Sequence, residues 1–222
     1  MSLDVLPWIE KYAAQLVSLG DKPPPAPRWS QDWFPRLDAA AAYAIVRATR
    51  PKRIVEVGSG HSTRFLARAV ADAGLATRIT AIDPRPRASL AGLALNWMKQ
   101  PVETVDAALF ASLEANDILF IDSSHQVKPG SDVAFLLEQA LPRLARGVRV
   151  HFHDIFLPDD YPASWAWRRY NEQQAVAGLI EDGFAAEFSS HQTLKSGEPS
   201  GVLARLPLPP GAIESSLWIR KL

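Results

Sequence analysis

Hydrophobic positions along this chain recur in two periods, and the change from one to the other marks out its elements. Trp8, Ile9, Tyr12, Leu16 and Leu19 fall at helical spacing, and Gly20 closes that run ahead of the proline cluster from Lys22 to Pro27. This pattern predicts an N-terminal helix followed by a stiff connector. Further helices are predicted over about Leu37 to Arg47 and Ser62 to Ala73. Between and after them come apolar runs of strand length: Arg53-Ile-Val-Glu-Val57, Thr77-Arg-Ile-Thr-Ala-Ile-Asp83, Val102 to Val105, Asp117-Ile-Leu-Phe-Ile-Asp122 and Val148-Arg-Val-His-Phe-His-Asp154. A helix over about Ser131 to Leu144 joins the last two, and another is predicted from Trp165 to Glu181. Phe184 to Ser190, Val202 to Leu206 and Ser216 to Lys221 close the chain as shorter strand candidates.

Apolar strands alternating with helices predict an α/β fold: a Rossmann-like, doubly wound, seven-stranded and mainly parallel sheet with helices on both faces, finished by a C-terminal antiparallel hairpin. In such sheets ligands bind beyond the carboxyl ends of the strands, and Gly58, Asp83, Asp122 and Asp154 each stand at one. At 222 residues, with 47% hydrophobic and 22% charged residues, the chain is expected to form one domain over residues 1–222, of which 1–36 are a helical and proline-rich extension.

Charge narrows the ligand. Lys plus Arg equal Asp plus Glu at 24 each, and no block of five basic residues occurs, so neither nucleic acid nor an anionic membrane is an expected partner. A small molecule is, with a homodimer left open as the assembly. Zero cysteines exclude a disulfide framework, a thiolate nucleophile and a cysteine zinc site. The first eleven residues carry no basic leader, no run of eighteen apolar residues follows, and the expected location is the cytoplasm.

The segment Glu56-Val-Gly-Ser-Gly-His-Ser-Thr63 runs a buried strand into a glycine turn and then a helix. Gly58 and Gly60 permit close approach of backbone to a ligand, Ser59 between them is a further candidate for binding it, and Ser62 begins a helix whose free amides face it. Asp83, 25 positions after Gly58, ends the next strand where a carboxylate accepts hydrogen bonds from both hydroxyls of a ribose. A dinucleotide cradle calls for a third glycine where Thr63 stands, and a pyrophosphate sits poorly beside Glu56. A ligand with an amino group and a sulfonium charge is helped by that carboxylate, which favours S-adenosylmethionine over NAD. Arg64 stands where a nucleophile elbow needs glycine, and no phosphate-binding G-x-x-x-x-G-K-[ST] loop occurs.

Glu56-Val-Gly-Ser-Gly60 with Asp83 resembles the first two motifs of the class I S-adenosylmethionine-dependent methyltransferases. Phe120-Ile-Asp-Ser-Ser-His125, Asp132, Leu141 to Leu144, Gly147 and His153-Asp-Ile155 resemble the ID-x-x-H and HD signatures of a group of small bacterial members. The resemblance, over about residues 37 to 190, implies that the glycine turn holds the methionine end of the cofactor, Asp83 its ribose, and that Asp122 and Ser123 belong to the same site. Asp106 is a candidate for the adenine.

Asp122 to His125 and His153-Asp154 follow two neighbouring strands, so two acids and two imidazoles are expected to converge. Methyl transfer to oxygen needs a base or a metal to take up the acceptor's proton. His125 is the first candidate for the base and His153 the second, with Asp154 beside them. Resemblance to metal-dependent sugar and catechol O-methyltransferases implies Mg or Mn on Asp122, His153 and Asp154, Mn being the more tolerant of an imidazole. His151 is expected as a buried polar neighbour. Pro158 to Trp167 combines acids with aromatics suited to covering a sugar or a small ring. The other expectations are a cofactor-binding protein without catalysis and an NAD(P) oxidoreductase.

Overall fold

The computed structural model describes residues 3–20 and 22–222; residues 1, 2 and 21 of the expected N-terminal extension lie outside them. The predicted N-terminal helix is two short ones, α1 (Val5–Lys11) and α2 (Ala13–Leu19), broken at Tyr12. Their apolar residues Val5, Ile9, Leu16 and Leu19 are fully covered. Then follow α3 (Arg36–Thr49), β1 (Arg53–Val57), α4 (His61–Asp72), β2 (Arg78–Ile82) and β3 (Asn96–Met98). A short α5 (Ala108–Ala111) precedes β4 (Ile118–Ile121). The next helix begins as α6 (Asp132–Phe135), capped by Ser131 Oγ on the Ala134 amide at 3.1 Å, widens over Leu136–Ala140 and tightens over Leu141–Arg143 around Pro142. The chain closes with β5 (Arg149–Phe152), α7 (Glu172–Glu181), β6 (Phe184–Ser189), α8 (Ser190–Ser196) and β7 (Leu217–Lys221).

The seven strands lie in the order β3-β2-β1-β4-β5-β7-β6; the first five pair in parallel, and β7 runs antiparallel to both β5 and β6. The chain winds outward from β1 in both directions, so the crevice at a change of winding opens between β1 and β4. Strand alternation sorts the side chains into two layers. Ile54, Phe120 and Trp218 pack under α1 to α4, while Val55, Val57, Leu119, Ile121, Val150 and Phe152 pack under α6 and α7.

Two strand expectations are corrected. Val102–Thr104 is a 3-10 turn, and the strand lies earlier, at Asn96–Met98. Pro101 starts the turn, and Val102 and Val105, three apart, are both buried, which is helical and not strand spacing. Leu203–Arg205 is likewise a 3-10 turn, with Val202, Leu203 and Leu206 all buried. The closing antiparallel pair is therefore β6 with β7, joined by α8 and a long excursion instead of a tight turn. The predicted helix from Trp165 is also split: a 3-10 turn covers Ala163–Arg168, Arg169 adopts a left-handed φ of 56°, and α7 begins at Glu172.

Buried charges fasten this sheet. Glu187 on β6 accepts from Arg149 Nε on β5 at 2.9 Å and from Arg220 Nε on β7 at 2.7 Å. At the start of α3, Asp38 accepts the Ser215 and Ser216 amides at 3.0 and 2.9 Å, and Arg36 grips Glu214 with two nitrogens. The segment leading into β7 is thus tied beneath α3, and α3 is fixed behind the carboxyl end of β5.

Candidate functional site

Gly58, at φ 75°, turns the chain at the end of β1, and a Cβ there would lie 1.9 Å from the Asp122 carbonyl oxygen. Only glycine lets the β1 turn and the end of β4 come this close. Beyond them opens a cavity of about 720 Å³, within the usual range for small-ligand sites, lined among others by Gly58, Ser59, Asp83, Asp122 and Ser123. Both oxygens of Asp83 are held: Oδ2 accepts the Ser59 amide at 2.7 Å and Oδ1 the Arg85 amide at 2.6 Å. Oδ1 keeps a further lone pair for a ligand hydroxyl, and Oδ2 also accepts from Ser59 Oγ at 3.3 Å, a long bond that a ligand hydroxyl can replace. Glu103 lines the cavity where Asp106 was the candidate, because the Asp106 carboxylate turns back onto the Ala108 amide at 2.9 Å.

Glu56, Gly60 and Ser62 do not line this cavity. Alternation along β1 points Glu56 to the α3–α4 side with Ile54, where it is fully buried. Its Oε1 accepts from Ser62 Oγ at 2.6 Å and its Oε2 has no partner. The Gly60 amide donates to Thr63 Oγ1 at 2.8 Å, so the turn is braced from within. Burial, opposed by hydrogen bonds from Ser62 and Thr63 and reinforced by the charges of Asp122 and Asp83, pushes the Glu56 carboxyl up to about 8.

That value carries a consequence for stability. A carboxyl that titrates near 8 folded and near 4.5 in its ordinary state holds its proton more firmly in the native protein. Its contribution is complete below pH 4.5 and is lost as pH rises through 8. Each pKa unit is worth about 1.4 kcal/mol, so the loss amounts to a few kcal/mol. Thermal melts of the ligand-free protein between these pH values should show wild type losing stability relative to Glu56→Gln as pH rises; parallel curves would contradict the buried neutral acid.

A second cavity of about 140 Å³ abuts the first, and Asp122 and Arg87 line both. Here the expected convergence is found. His125 Nε2 lies 3.4 Å from Asp122 Oδ1 and 3.6 Å from Asp154 Oδ2, and its Nδ1 donates to Glu172 Oε2 at 2.9 Å. His153 Nδ1 lies 3.5 Å from both Asp122 Oδ1 and Asp154 Oδ1, with Nε2 directed to Asp38 Oδ2 at 3.4 Å. His125 and Asp154 both take left-handed φ values, 59° and 56°, which side chains other than glycine adopt at a cost of about 1–3 kcal/mol and which cluster at functional sites.

Neighbouring loops hold the imidazoles in place. Ser124 gives its amide and its hydroxyl to Asp132, and the Asn171 amide donates to the His125 carbonyl at 3.0 Å. Ser123 Oγ reaches Glu172 Oε1 at 3.2 Å. Burial disfavours a charge on either imidazole, but the carboxylates prevail. Asp122, Glu172 and Asp154 hold His125 well above its ordinary 6.5, and Asp154, Asp122 and Asp38 do the same for His153. His151 behaves oppositely. Burial and the charge of His153 keep it neutral, stacked 3.7 Å from the Phe120 ring, with Nε2 on Ser216 Oγ at 2.8 Å.

The expected Mg or Mn site is not matched by these positions. Asp122, His153 and Asp154 face one another as ion pairs, a protonated imidazole has no lone pair to give a cation, and no group of three acids or imidazoles among the described residues is disposed to hold a metal. Asp38 escaped notice in the sequence although it is a lone charge in the apolar run from Leu37 to Val46. Glu172-Gln-Gln174 resembles a family feature in the sequence but carries no role there, and Arg87 and Arg168 gave no readable signal, since their proximity to the site is set by loops distant in sequence.

The aromatic segment after β5 covers this cavity in part. Trp165 lines it and packs edge-on to Phe156 at 5.2 Å, Tyr170 lies 4.5 Å from the His125 ring, and Trp33 closes the opposite wall. Trp167 is 76% exposed and does not line it. No helix among the described residues is long and apolar enough to cross a membrane.

No protein of curated function matches the chain in sequence. Among solved structures, the S-adenosylhomocysteine-bound methyltransferase PaMTH1 of Podospora anserina superposes with a TM-score of 0.53 at 18% identity, over 99% of this chain and 88% of that one. A candidate caffeoyl-CoA O-methyltransferase from Staphylococcus aureus gives 0.51 at 15%, over 96% and 92%. These likenesses establish the shared fold. A family model described as a methyltransferase domain matches residues 55–155, which run from β1 and its glycine turn through Asp83 and Asp122 to the His153-Asp154 pair. The motif order, the sheet order and the cavity beside Asp83 agree with that match, and residues 55–155 are identified as a methyltransferase domain of the S-adenosylmethionine-dependent kind.

Proposed function

We propose that the protein methylates an oxygen of a small molecule seated in the 140 Å³ cavity, with His125 receiving the acceptor's proton. The observation that carries this reading is the shared wall: Asp122 borders the large cavity on one side and the imidazole cluster on the other. The residues present fit S-adenosylmethionine, with Asp83 offering two fixed oxygens to a ribose and Gly58 and Ser59 forming the turn beside it. Bound there, the cofactor would supply an electrophilic methyl group for the acceptor oxygen, whose hydroxyl proton the chain's own residues would take up.

The chain's own part is positioning and proton transfer. Glu172 fixes the His125 ring through Nδ1, which leaves Nε2 facing the cavity between Asp122 and Asp154. The same carboxylates stabilise the imidazolium that results. His153 lies deeper, against Asp38 and Phe34, and serves to place Asp122. Oxygen as the acceptor atom is supported by the need for a base and by the name of the Staphylococcus aureus neighbour.

Calorimetry with S-adenosylhomocysteine and with NADH tests the cofactor half. The wild-type protein should bind S-adenosylhomocysteine selectively, and Asp83→Asn should weaken it by about tenfold or more, the value of a lost charged acceptor. Selective binding of NADH would sink the proposal.

A further inference from the structure

The smaller cavity carries two cations that proton transfer does not use. Arg168 ends the 3-10 turn over Ala163–Arg168, Arg87 lies on the loop after β2, and both line the cavity. Among the described residues Arg87 makes no ion pair, and Arg168 approaches only Asp154, with Nη1 and Oδ2 3.9 Å apart. Each guanidinium lies instead on a tryptophan face, Arg87 at 4.1 Å from the Trp33 ring centre and Arg168 at 4.2 Å from that of Trp165. Stacked in this way a guanidinium keeps its planar edge free for hydrogen bonding. Arg168 Nη1 donates to Tyr170 Oη at 3.1 Å, but its Nε is buried and has no acceptor. Native structures satisfy nearly all buried charged donors, so an unpaired one beside a cavity points to a ligand anion as its partner.

Size and shape restrict what brings that anion. A cavity of about 150 Å³ admits a benzene ring, and this one is about 140 Å³ with Trp33, Trp165 and Tyr170 in its walls. Its acidic residues, Asp122 and Asp154, lie at the His125 end, and Asp32 is the remaining acid of the lining. We infer that the acceptor is a hydroxylated acid of single-ring size, its carboxylate held by the free edges of Arg168 and Arg87 and its hydroxyl turned towards His125. This rests on the reading that the acceptor occupies the smaller cavity.

The three isomeric hydroxybenzoates and their amides, titrated into the protein loaded with S-adenosylhomocysteine, provide matched acid and neutral probes. At least one acid should bind about ten- to a hundredfold more tightly than its amide, the usual worth of a charge-assisted pair. Arg168→Gln should bring acid and amide to within about threefold while S-adenosylhomocysteine affinity, which also reports folding, stays within about twofold of wild type. Arg87→Gln should reduce the same preference. Equal binding of acid and amide, no binding of any acid, or a preference that survives Arg168→Gln overturns the inference. An Arg87→Gln variant that weakens S-adenosylhomocysteine and keeps the acid preference overturns the two-arginine clamp. Failure of the wild type to bind S-adenosylhomocysteine is a separate outcome and removes the proposed function itself.

Discussion

Replacing His125 by Asn should lower kcat by about 10²- to 10⁴-fold, the usual worth of a positioned general base, and leave S-adenosylhomocysteine affinity within about twofold. The expectation follows from placement: His125 borders the smaller cavity and not the larger one, so its loss removes the proposed proton acceptor and leaves the lining residues of the larger cavity in place. A merely structural His125 would give the same loss of rate, and Glu172→Gln separates the cases. Carboxylates hold His125 protonated well above 6.5, so the wild-type rate should rise with pH as the imidazole is freed above neutrality. Glu172→Gln keeps an oxygen near Nδ1 but removes the negative charge, so the His125 pKa falls. The rising limb of kcat/KM should then move to lower pH by about one unit, since one unit corresponds to about 1.4 kcal/mol of charge interaction. A limb that stays in place in Glu172→Gln removes His125 from proton transfer.

What the sequence discloses and what it hides follow from how local the determinants are. β1, β4 and β5 are buried at almost every residue and β2 over its carboxyl half, and strands so placed are mostly apolar, a signal that any reading of the sequence finds. β3 is an edge strand of three residues, Asn96-Trp97-Met98, two of them exposed, so it carries no such run. The two valines of Val102 to Val105 drew the strand assignment there instead, although their burial three residues apart belongs to a turn. The helix expected from Trp165 breaks because Trp165 and Tyr170 pack on Phe156, Tyr161 and the His125 ring, contacts that a helical period cannot express.

At the site, Gly58, Asp83, Asp122, His125, His153 and Asp154 were legible because each stands at a strand's end, where the topology forces ligand-facing residues to be. Glu56 illustrates the opposite case. Its place in the motif pointed to the cofactor, whereas period-two alternation turns its side chain under the turn towards Ser62. Asp38 and Glu172 come from helices on either side of the sheet, Asp38 lying 115 positions from His153 and Glu172 47 positions from His125, and only packing brings them in. The charge balance that keeps both imidazoles protonated is therefore a property of the folded chain and of no segment of it.

Gly58→Ala should be the most destabilising single methyl that this protein can receive at its glycine turns. Two costs add. The backbone at φ 75° is left-handed, which a residue with a Cβ adopts at about 1 kcal/mol or more. The new Cβ would also stand 1.9 Å from the Asp122 carbonyl oxygen and 2.9 Å from its carbon, both backbone atoms that cannot rotate away. The two segments are hydrogen-bonded into the sheet, Asp122 amide to Val57 oxygen at 2.9 Å and Gly58 amide to Ile82 oxygen at 3.1 Å, so relief requires opening the β1–β4 pairing. Overpacking of this kind costs about 1–3 kcal/mol where side chains can yield, and more where backbone must move. A total near 4 kcal/mol corresponds to a fall in Tm of roughly 8–16 °C for a chain of this size. Gly74→Ala supplies the control: its φ is also left-handed, at 57°, but nothing lies within 4 Å of its Cβ, so it should show the backbone cost alone. Displacing Asp122 also shifts the wall common to both cavities, so any folded Gly58→Ala should bind S-adenosylhomocysteine at least about tenfold more weakly, a loss of about 1.4 kcal/mol. Equal melting temperatures for the two alanine variants would refute the close approach of β1 to β4 on which the site is built.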